Sequence, residues 1–316
     1  SYAVLAVCCL SFLSVPIANY TIDPYGVFQT NLLPLGAATN ERFLKLHRLL
    51  SLDEAPKSLV LGSSRMGLID PESLKVLADT SWYNLSFFAA HPKHLLHALK
   101  VLESHSRLPE RVLIGIDLYP FEGEAEKKGL TFTPYPVDTP QARKTFYLDY
   151  LMASSGWTIV GKLLATTPSV TFDLEKGTYG LPLWEAEIAK DHSAFIAKRL
   201  APEMGEVPAD ISWVQERFDD LSELNEWLAS KKIETTFFIH PLHPKLQEHY
   251  SAKSVSEFRG LLRAALPTPV IDLSNYQPIT QNNTLWYDQM HYRPVASGML
   301  MEGITSVLTV ARSTAK

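Results

Sequence analysis

Short apolar runs that end at turn residues alternate with amphipathic helical segments along this chain. In the first half, strand-like runs occupy Ser58–Gly62, Trp82–Ser86 and Arg111–Asp117, and a helix is predicted near Asn40–Leu52. Between the last two runs, apolar residues recur at helical spacing. Strand, helix and strand in succession predict βαβ units, which form a parallel sheet.

The same alternation returns in the last third of the chain. A predicted helix over residues 210–232 precedes a strand over 233–241; a helix over 254–266, a strand over 269–274 and a closing helix over 293–312 follow. The pattern predicts an α/β fold, a three-layer sandwich around a mostly parallel sheet.

Residues 119–210 interrupt this alternation. Within them, residues 142–165 look helical and residues 168–184 look irregular. An insertion of this size between two strands either caps a site or packs on the sheet as a purely structural excursion, and both possibilities stay open. Its aromatic residues include Tyr119, Phe121, Tyr135 and Trp157. They fit two roles, stacking on sugar rings or packing in the insertion's own core.

The N-terminal run is nearly all apolar and carries no charge as far as Ile17. A membrane-spanning helix needs about 20 apolar residues, slightly more than this run offers. We expect residues 1–18 to be a truncated transmembrane signal-anchor, with residues 19–316 forming an extracytoplasmic α/β domain. The alternative is a buried core helix, as in a cytosolic esterase.

Composition narrows the function classes. The 316 residues include 29 Lys+Arg and 34 Asp+Glu, a net charge of -5 that gives no electrostatic footprint for nucleic acid. The adjacent Cys8 and Cys9 are the only cysteines, so the rest of the chain has no thiol nucleophile. No glycine-rich phosphate loop follows a strand, and two histidines, His240 and His243, without a nearby acidic ligand make a poor zinc site. We therefore expect neither cofactor nor metal.

The strand-like run at Leu59–Leu61 ends at Gly62-Ser63-Ser64-Arg65. This position is the carboxyl edge of the sheet, where open α/β folds place their sites. A serine there is either a helix N-cap or a nucleophile, and the stretch alone favours the cap. A nucleophilic serine also needs a base.

A base is available near the other end of the chain. Asp288 lies three residues before His291, in a loop that precedes the last helix. Short spacing in a loop lets a carboxylate reach an imidazole, fix its tautomer and stabilise the imidazolium. Alone, this spacing is a weak pattern that arises often by chance.

The combination resembles the SGNH/GDSL hydrolase superfamily. Gly62-Ser63-Ser64 matches the family's first block, with Ser64 at the nucleophile position, and Asp288-x-x-His291 matches its last block. Residues 83–92 are similar to the second block, which supplies a backbone oxyanion donor. There Asn84 and Ser86 fit the pattern, and Ala89 stands where the family usually has glycine. The resemblance thus makes Asn84 and Ala89 candidates for oxyanion or substrate binding.

The third block departs from the family. Its usual Gly-x-Asn-Asp contributes an asparagine that donates to the oxyanion, whereas this chain has Gly115-Ile116-Asp117. An ionised Asp117 would repel a developing negative charge. Three alternatives stay open: Asp117 is protonated, it faces elsewhere, or the oxyanion hole is built differently.

Through its Gly-Ser-Ser-Arg sequence and its N-terminal apolar run, the chain resembles a narrower group within the superfamily. These are membrane-anchored extracytoplasmic proteins that act in D-alanyl-lipoteichoic acid transfer or in alginate-type polysaccharide O-acetylation. The resemblance implies a serine-dependent O-acyltransferase or acyl esterase in the periplasm or outside the cell, anchored in the inner membrane. It implies a polysaccharide or other cell-envelope polymer as substrate and a membrane-bound O-acyltransferase as partner. Arg65 and His240 are further candidates for substrate or oxyanion binding. The rival interpretation, which Asp117 favours, is a catalytically weak or inactive SGNH-like protein that binds the polymer or acts as a scaffold.

Overall fold

The structure of the protein, a computed structural model, describes residues 13–123, 126–200 and 210–314. The strands are β1 (Ser58–Leu61), β2 (Trp82–Asn84), β3 (Arg111–Ile116), β4 (Thr171–Asp173), β5 (Thr178–Gly180), β6 (Glu234–Ile239) and β7 (Val270–Asp272). Five of them form one sheet in the order β2-β1-β3-β6-β7, and every neighbouring pair in it is parallel. The predicted α/β class with a mostly parallel sheet is confirmed.

Helices cover both faces of this sheet. Beyond residue 40, the described α-helices, those of the insertion included, are α1 (Glu41–Ser51), α2 (Pro92–Ser104), α3 (Pro140–Leu151), α4 (Gly156–Leu164), α5 (Pro182–Lys190), α6 (His192–Arg199), α7 (Gln215–Ser230), α8 (Pro244–His249), α9 (Ala252–Ala265), α10 (Gln277–Thr280) and α11 (Ser297–Thr314). Alternate strand residues enter different cores: Leu59 and Ile114 face one, with α2 and α7, whereas Val60 and Leu113 face the other, with α11. Each such buried side chain contributes about 1.5–3 kcal/mol, so both layers of helices hold the sheet.

The strand order places two loops side by side. From β1 the chain passes to β2 on one side and then returns to β3 on the other, which makes the gap between β1 and β3 the topological switch point. In open α/β sheets, ligands bind at this point, outside the carboxyl ends of the strands. The loops that begin at Gly62 and Asp117 therefore meet where a site is expected.

The insertion is more ordered than its sequence suggested. The helical stretch divides into α3 and α4, and the prediction of an irregular segment over 168–184 is wrong, because β4 and β5 form a hairpin and α5 follows. Gly177 closes the hairpin at φ +73°, and a Cβ there would lie 2.0 Å from the Asn84 carbonyl oxygen. The hairpin thus packs directly on the loop that follows β2.

The predicted N-terminal anchor, residues 1–18, lies mostly outside the described residues. Residues 13–22 form a helix, and the rest of the apolar run precedes the described part. Within the ranges given above, no helix is both long enough and apolar enough to cross a membrane.

Candidate active site

Ser64 lies on a tight turn at the end of β1. Gly62 begins the turn at φ +147°, and a Cβ at this residue would lie 2.4 Å from Met66 Cγ, so only glycine fits. One 3₁₀ turn, Met66–Leu68, follows in place of the helix that the sequence suggested. No side-chain hydrogen bond caps this turn, and Ser64 is half-buried with its hydroxyl directed to another loop.

That other loop carries His291 at its tip. A bridge between Trp286 and Tyr292 closes the loop, and the Tyr287 N–H donates to the His291 carbonyl at 2.8 Å. Ser64 Oγ lies 2.9 Å from His291 Nε2. His291 Nδ1 lies 3.1 Å from each carboxylate oxygen of Asp288. The structure therefore brings the three predicted residues together in a continuous chain of hydrogen bonds.

The charge of Asp288 fixes the imidazole. Burial by itself would raise the pKa of Asp288, but His291 and the backbone N–H groups of Met290 and His291, which donate at 2.7 Å each, hold that pKa below its ordinary value. An ionised carboxylate accepts a hydrogen bond from Nδ1–H, which leaves Nε2 free to accept one from the Ser64 hydroxyl.

Asp117 is buried and paired with the two residues that flank Ser64. Arg65 Nε lies 2.9 Å from Asp117 Oδ1, and the Ser63 hydroxyl donates to Oδ2. Burial alone would raise the pKa of Asp117, but the Arg65 guanidinium and the hydrogen bond from the Ser63 hydroxyl outweigh burial and lower that pKa. Of the three alternatives, this environment favours an ionised Asp117 that faces Arg65 and Ser63. The carboxylate holds Ser63 and Arg65, the two neighbours of Ser64.

The expectation that Arg65 meets substrate is wrong. Its side chain is buried, paired with Asp117, and donates from Nη1 to the Pro241 carbonyl at 3.3 Å. Arg65 therefore has no face toward a ligand and acts on the site through the position of Ser64.

Asn84 is also a positioning residue. Its Nδ2 donates to the carbonyls of Met66 at 2.6 Å and Ile69 at 3.0 Å, and its Oδ1 accepts from the backbone N–H and the hydroxyl of Ser86. The side chain is fully buried and joins the turn after Ser64 to the loop after β2. Direct substrate contact by this side chain, which the sequence also allowed, is excluded.

The loop after β2 carries Ala89 in a glycine-like conformation, at φ +47°. The Phe87 N–H donates to the Gly62 carbonyl at 3.1 Å, which fastens this loop beside the Ser64 turn. Among the described residues, neither the Ser64 N–H nor the Ala89 N–H has an acceptor. These two N–H groups are therefore free to donate to an oxyanion.

We expect Ala89→Gly to stabilise the fold by about 1 kcal/mol, because it removes the cost of the left-handed conformation. The backbone N–H is retained, so turnover stays within a factor of about two. Ala89→Val, which places a β-branched residue at the same φ, is the matched control and loses about 1–2 kcal/mol. Urea denaturation of both variants, with esterase rates, checks this prediction. A stabilised valine variant would contradict it.

A buried ion pair that the sequence did not reveal supports this loop. Lys45 Nζ lies 3.2 Å from a Glu41 carboxylate oxygen and donates to the Ser86 carbonyl at 2.6 Å. The other Glu41 oxygen accepts the Phe88 N–H. At positions four apart on α1, the pair resembles an ordinary surface salt bridge, and no local signal shows that both side chains are buried.

The insertion supports the opposite loop. Glu185 on α5 accepts from the Tyr287 hydroxyl at 2.5 Å and pairs with Arg293 at 2.8 Å, on either side of His291. The hairpin contributes Tyr179, whose ring packs against Phe88 with centroids 4.6 Å apart. The insertion thus packs against both loops of the site.

His240 lies at the carboxyl end of β6, fully buried behind the site. Its Nδ1 is 3.0 Å from the Tyr292 hydroxyl, and its Nε2 has no hydrogen-bond partner among the described residues. Burial lowers the pKa of His240 to about 4, against an opposing effect of Asp117. His240 is therefore a neutral imidazole, and with no exposed surface it does not bind substrate directly.

We expect the fold to lose stability on acidification through His240. An unfolded imidazole titrates near pH 6.5, so between about pH 6.5 and pH 4 the unfolded chain binds a proton that the folded chain does not. Stability then falls as the pH falls through this window. Wild type should lose on the order of 2 kcal/mol more than His240→Gln between pH 7 and pH 4.5, in urea denaturation. Equal losses in the two proteins would contradict the assignment.

Comparisons with known proteins do not assign the chain to a family. No protein-family model matches the chain, and the search of curated proteins found no match either. The function is inferred from the residues of the site.

Proposed function

We propose that this protein is a serine-dependent O-acyltransferase or acyl esterase of the SGNH type. The observation that carries the proposal is the contact of Ser64 with His291 at 2.9 Å and of His291 with Asp288 at 3.1 Å. Nucleophile, base and orienting carboxylate in this arrangement are those that acyl transfer requires. The strand order, which matches the flavodoxin-like order, supports the three-layer SGNH architecture.

In the proposed reaction, Ser64 Oγ attacks the carbonyl carbon of an acyl donor while His291 Nε2 takes the hydroxyl proton. The carbonyl electron pair moves to oxygen, where the N–H groups of Ser64 and Ala89 stabilise the charge. When the intermediate collapses, Nε2 returns its proton to the leaving alcohol, and an ester remains on Ser64. A sugar hydroxyl, or water, then gives its proton to Nε2 and attacks this ester. The bond between the acyl carbon and Ser64 Oγ breaks, and Nε2 returns the proton to Oγ.

The substrate and location follow from the same resemblance. We propose a cell-envelope polymer or exopolysaccharide as the acceptor, an anchor in the inner membrane at residues 1–18, and a membrane-bound O-acyltransferase as the partner. The exposure of the site supports a large acceptor, since about a quarter of each side chain of His291 and Asp288 is accessible to solvent. A hydroxyl on a polymer chain can approach such a surface without entering a closed cavity.

The test is a search for the acyl-enzyme and its acceptor. The full chain is mixed with p-nitrophenyl acetate, quenched in acid, and examined by intact mass and peptide mapping, with Ser64→Ala as control. We expect an acetyl group on Ser64, and ester on an added alginate oligosaccharide at the expense of free acetate. Acetate alone would indicate a hydrolase. A folded protein that releases p-nitrophenol no faster than Ser64→Ala would favour the inactive scaffold.

A further inference from the structure

Helix α4 of the insertion carries its apolar residues on the outside. None of its residues is buried, and Trp157 and Leu164 are 89% and 76% exposed. Val160 and Leu163 are exposed as well. Trp157, Val160 and Leu164 lie three, four and seven positions apart, so they share one side of the helix. A soluble surface helix would present polar residues on this side.

The opposite side of α4 holds the polar attachments to the body. Lys162 donates from Nζ to the Asp23 carbonyl at 2.9 Å, and Thr158 beside it is half-buried. The one cationic side chain of the helix is thus directed inward while its apolar residues face out. This inverted arrangement separates α4 from an ordinary insertion helix, and it shows that Trp157 does not pack in an insertion core.

The N-terminal helix of residues 13–22 is attached to the chain just before α4. Asn19 in that helix donates to the carbonyls of Leu151 at 2.9 Å and Ala153 at 2.8 Å, immediately before α4. The N-terminal helix itself exposes apolar residues, among them Leu13 and Ile17. In the sequence, residues 1–12 continue this apolar character without a charge. The N-terminal helix and α4, each of which exposes apolar residues, are therefore anchored to the same part of the fold.

We propose that α4 is an interfacial helix whose outer side lies in the headgroup and acyl boundary of a phospholipid bilayer. The inference rests on the membrane anchor included in the proposed function, and it adds a second contact that fixes how the domain is oriented on the membrane. Tryptophan concentrates at this boundary, and leucine and valine beside it bury in the acyl region. A helix of nine residues is too short to span and suited to lie flat.

The chemistry of the patch favours lipid over other occupants. A stable protein interface buries roughly 800 Å² on each partner, more than four side chains on one short helix provide. A sugar ring would need hydrogen-bonding groups around Trp157, whereas its neighbours on this side, Val160 and Leu164, are aliphatic. A bilayer requires neither a large interface nor polar partners.

The experiment measures where α4 sits when the full chain is bound to vesicles. With Cys8 and Cys9 changed to serine, Leu164→Cys is labelled with an environment-sensitive nitrobenzoxadiazole dye and the chain is reconstituted into phosphatidylcholine–phosphatidylglycerol vesicles. Val76→Cys, at an exposed apolar position on a different turn of the fold, is the matched control. We expect lipids with a spin label near the headgroup to quench the dye at position 164 several-fold more than at 76, and aqueous iodide to do the reverse.

Flotation of the same vesicles separates this inference from the proposed anchor. If the chain floats with the vesicles but iodide quenches both dyes equally, the anchor stands and the interfacial role of α4 is wrong. A dye at 164 shielded from both iodide and spin-labelled lipid would mean that protein covers the patch, which also overturns the inference. A chain that does not float at all would overturn the anchor and the inference together, while leaving acylation of Ser64 intact.

Discussion

His291→Ala is expected to abolish turnover while leaving the fold intact. Without the imidazole, Ser64 has no proton acceptor, and the loss of a member of such a triad costs on the order of 10⁴–10⁶ in rate. The cost in stability is small, about 1 kcal/mol or less, because the side chain is partly exposed. Asp288 also keeps its two backbone donors, the N–H groups of residues 290 and 291.

Esterase rates and urea denaturation of His291→Ala test this expectation together. His249→Ala, a change at the half-buried end of α8, is the matched control and should preserve the rate. An unfolded His291→Ala protein would mean that the histidine is structural. A folded variant with wild-type turnover would exclude it as the base.

Asp117→Asn is expected to damage both stability and turnover. The change removes the counter-charge of Arg65, whose side chain is 3% exposed, and an uncompensated buried charge costs about 3–5 kcal/mol. It also loosens Ser63 and Arg65 on either side of Ser64, and a displacement of about 1 Å at the nucleophile can reduce turnover by about 10².

The control for Asp117 is Asp272→Asn. Asp272 pairs with Arg259 at 2.9 Å on the surface, and the loss of that exposed pair should cost less than about 1 kcal/mol. The comparison also separates two accounts of Asp117. If asparagine restored the oxyanion donor of the family's third block, turnover would rise in Asp117→Asn. A rise in turnover would contradict a positioning role.

The contribution of Asp117 to stability should also depend on pH. Because the pKa of Asp117 is lowered in the folded protein, its contribution to stability is present above the ordinary carboxyl range and is lost as the pH falls through the lowered value. The loss lies below the window assigned to His240, because an unfolded imidazole titrates near pH 6.5 and an unfolded aspartate only near pH 3.9.

The sheet could be predicted because buried parallel strands are continuous apolar runs. The apolar runs Leu59–Leu61 and Arg111–Ile116 form strands, as their composition predicts. The residues after them, Gly62 and Asp117, are included in the predicted strands but lie in loops. The hairpin strands β4 and β5 have three residues each, too few for an alternating pattern to show. Their position depends on contacts with the distant loop after β2.

The contact between Ser64 and His291 could be predicted because each residue lies in a short local motif. The groups that position them could not, because their partners are far away in sequence. Arg65 and Asp117 are both charged, and nothing beside them in the chain shows that one buries against the other. The same holds for Glu185, which reaches the His291 loop from the insertion. Long-range ion pairs leave no periodic signal, so only the folded chain reveals them.

The central claim is that Ser64 is an activated nucleophile, and a fluorophosphonate probe tests it most directly. Such probes form a stable adduct only with a serine that an adjacent base activates. We predict one adduct per folded wild-type chain, on Ser64 by peptide mapping, undiminished in Ser230→Ala and absent from Ser64→Ala. A folded wild-type protein that takes up no probe, or an adduct that persists in Ser64→Ala, would contradict the assignment.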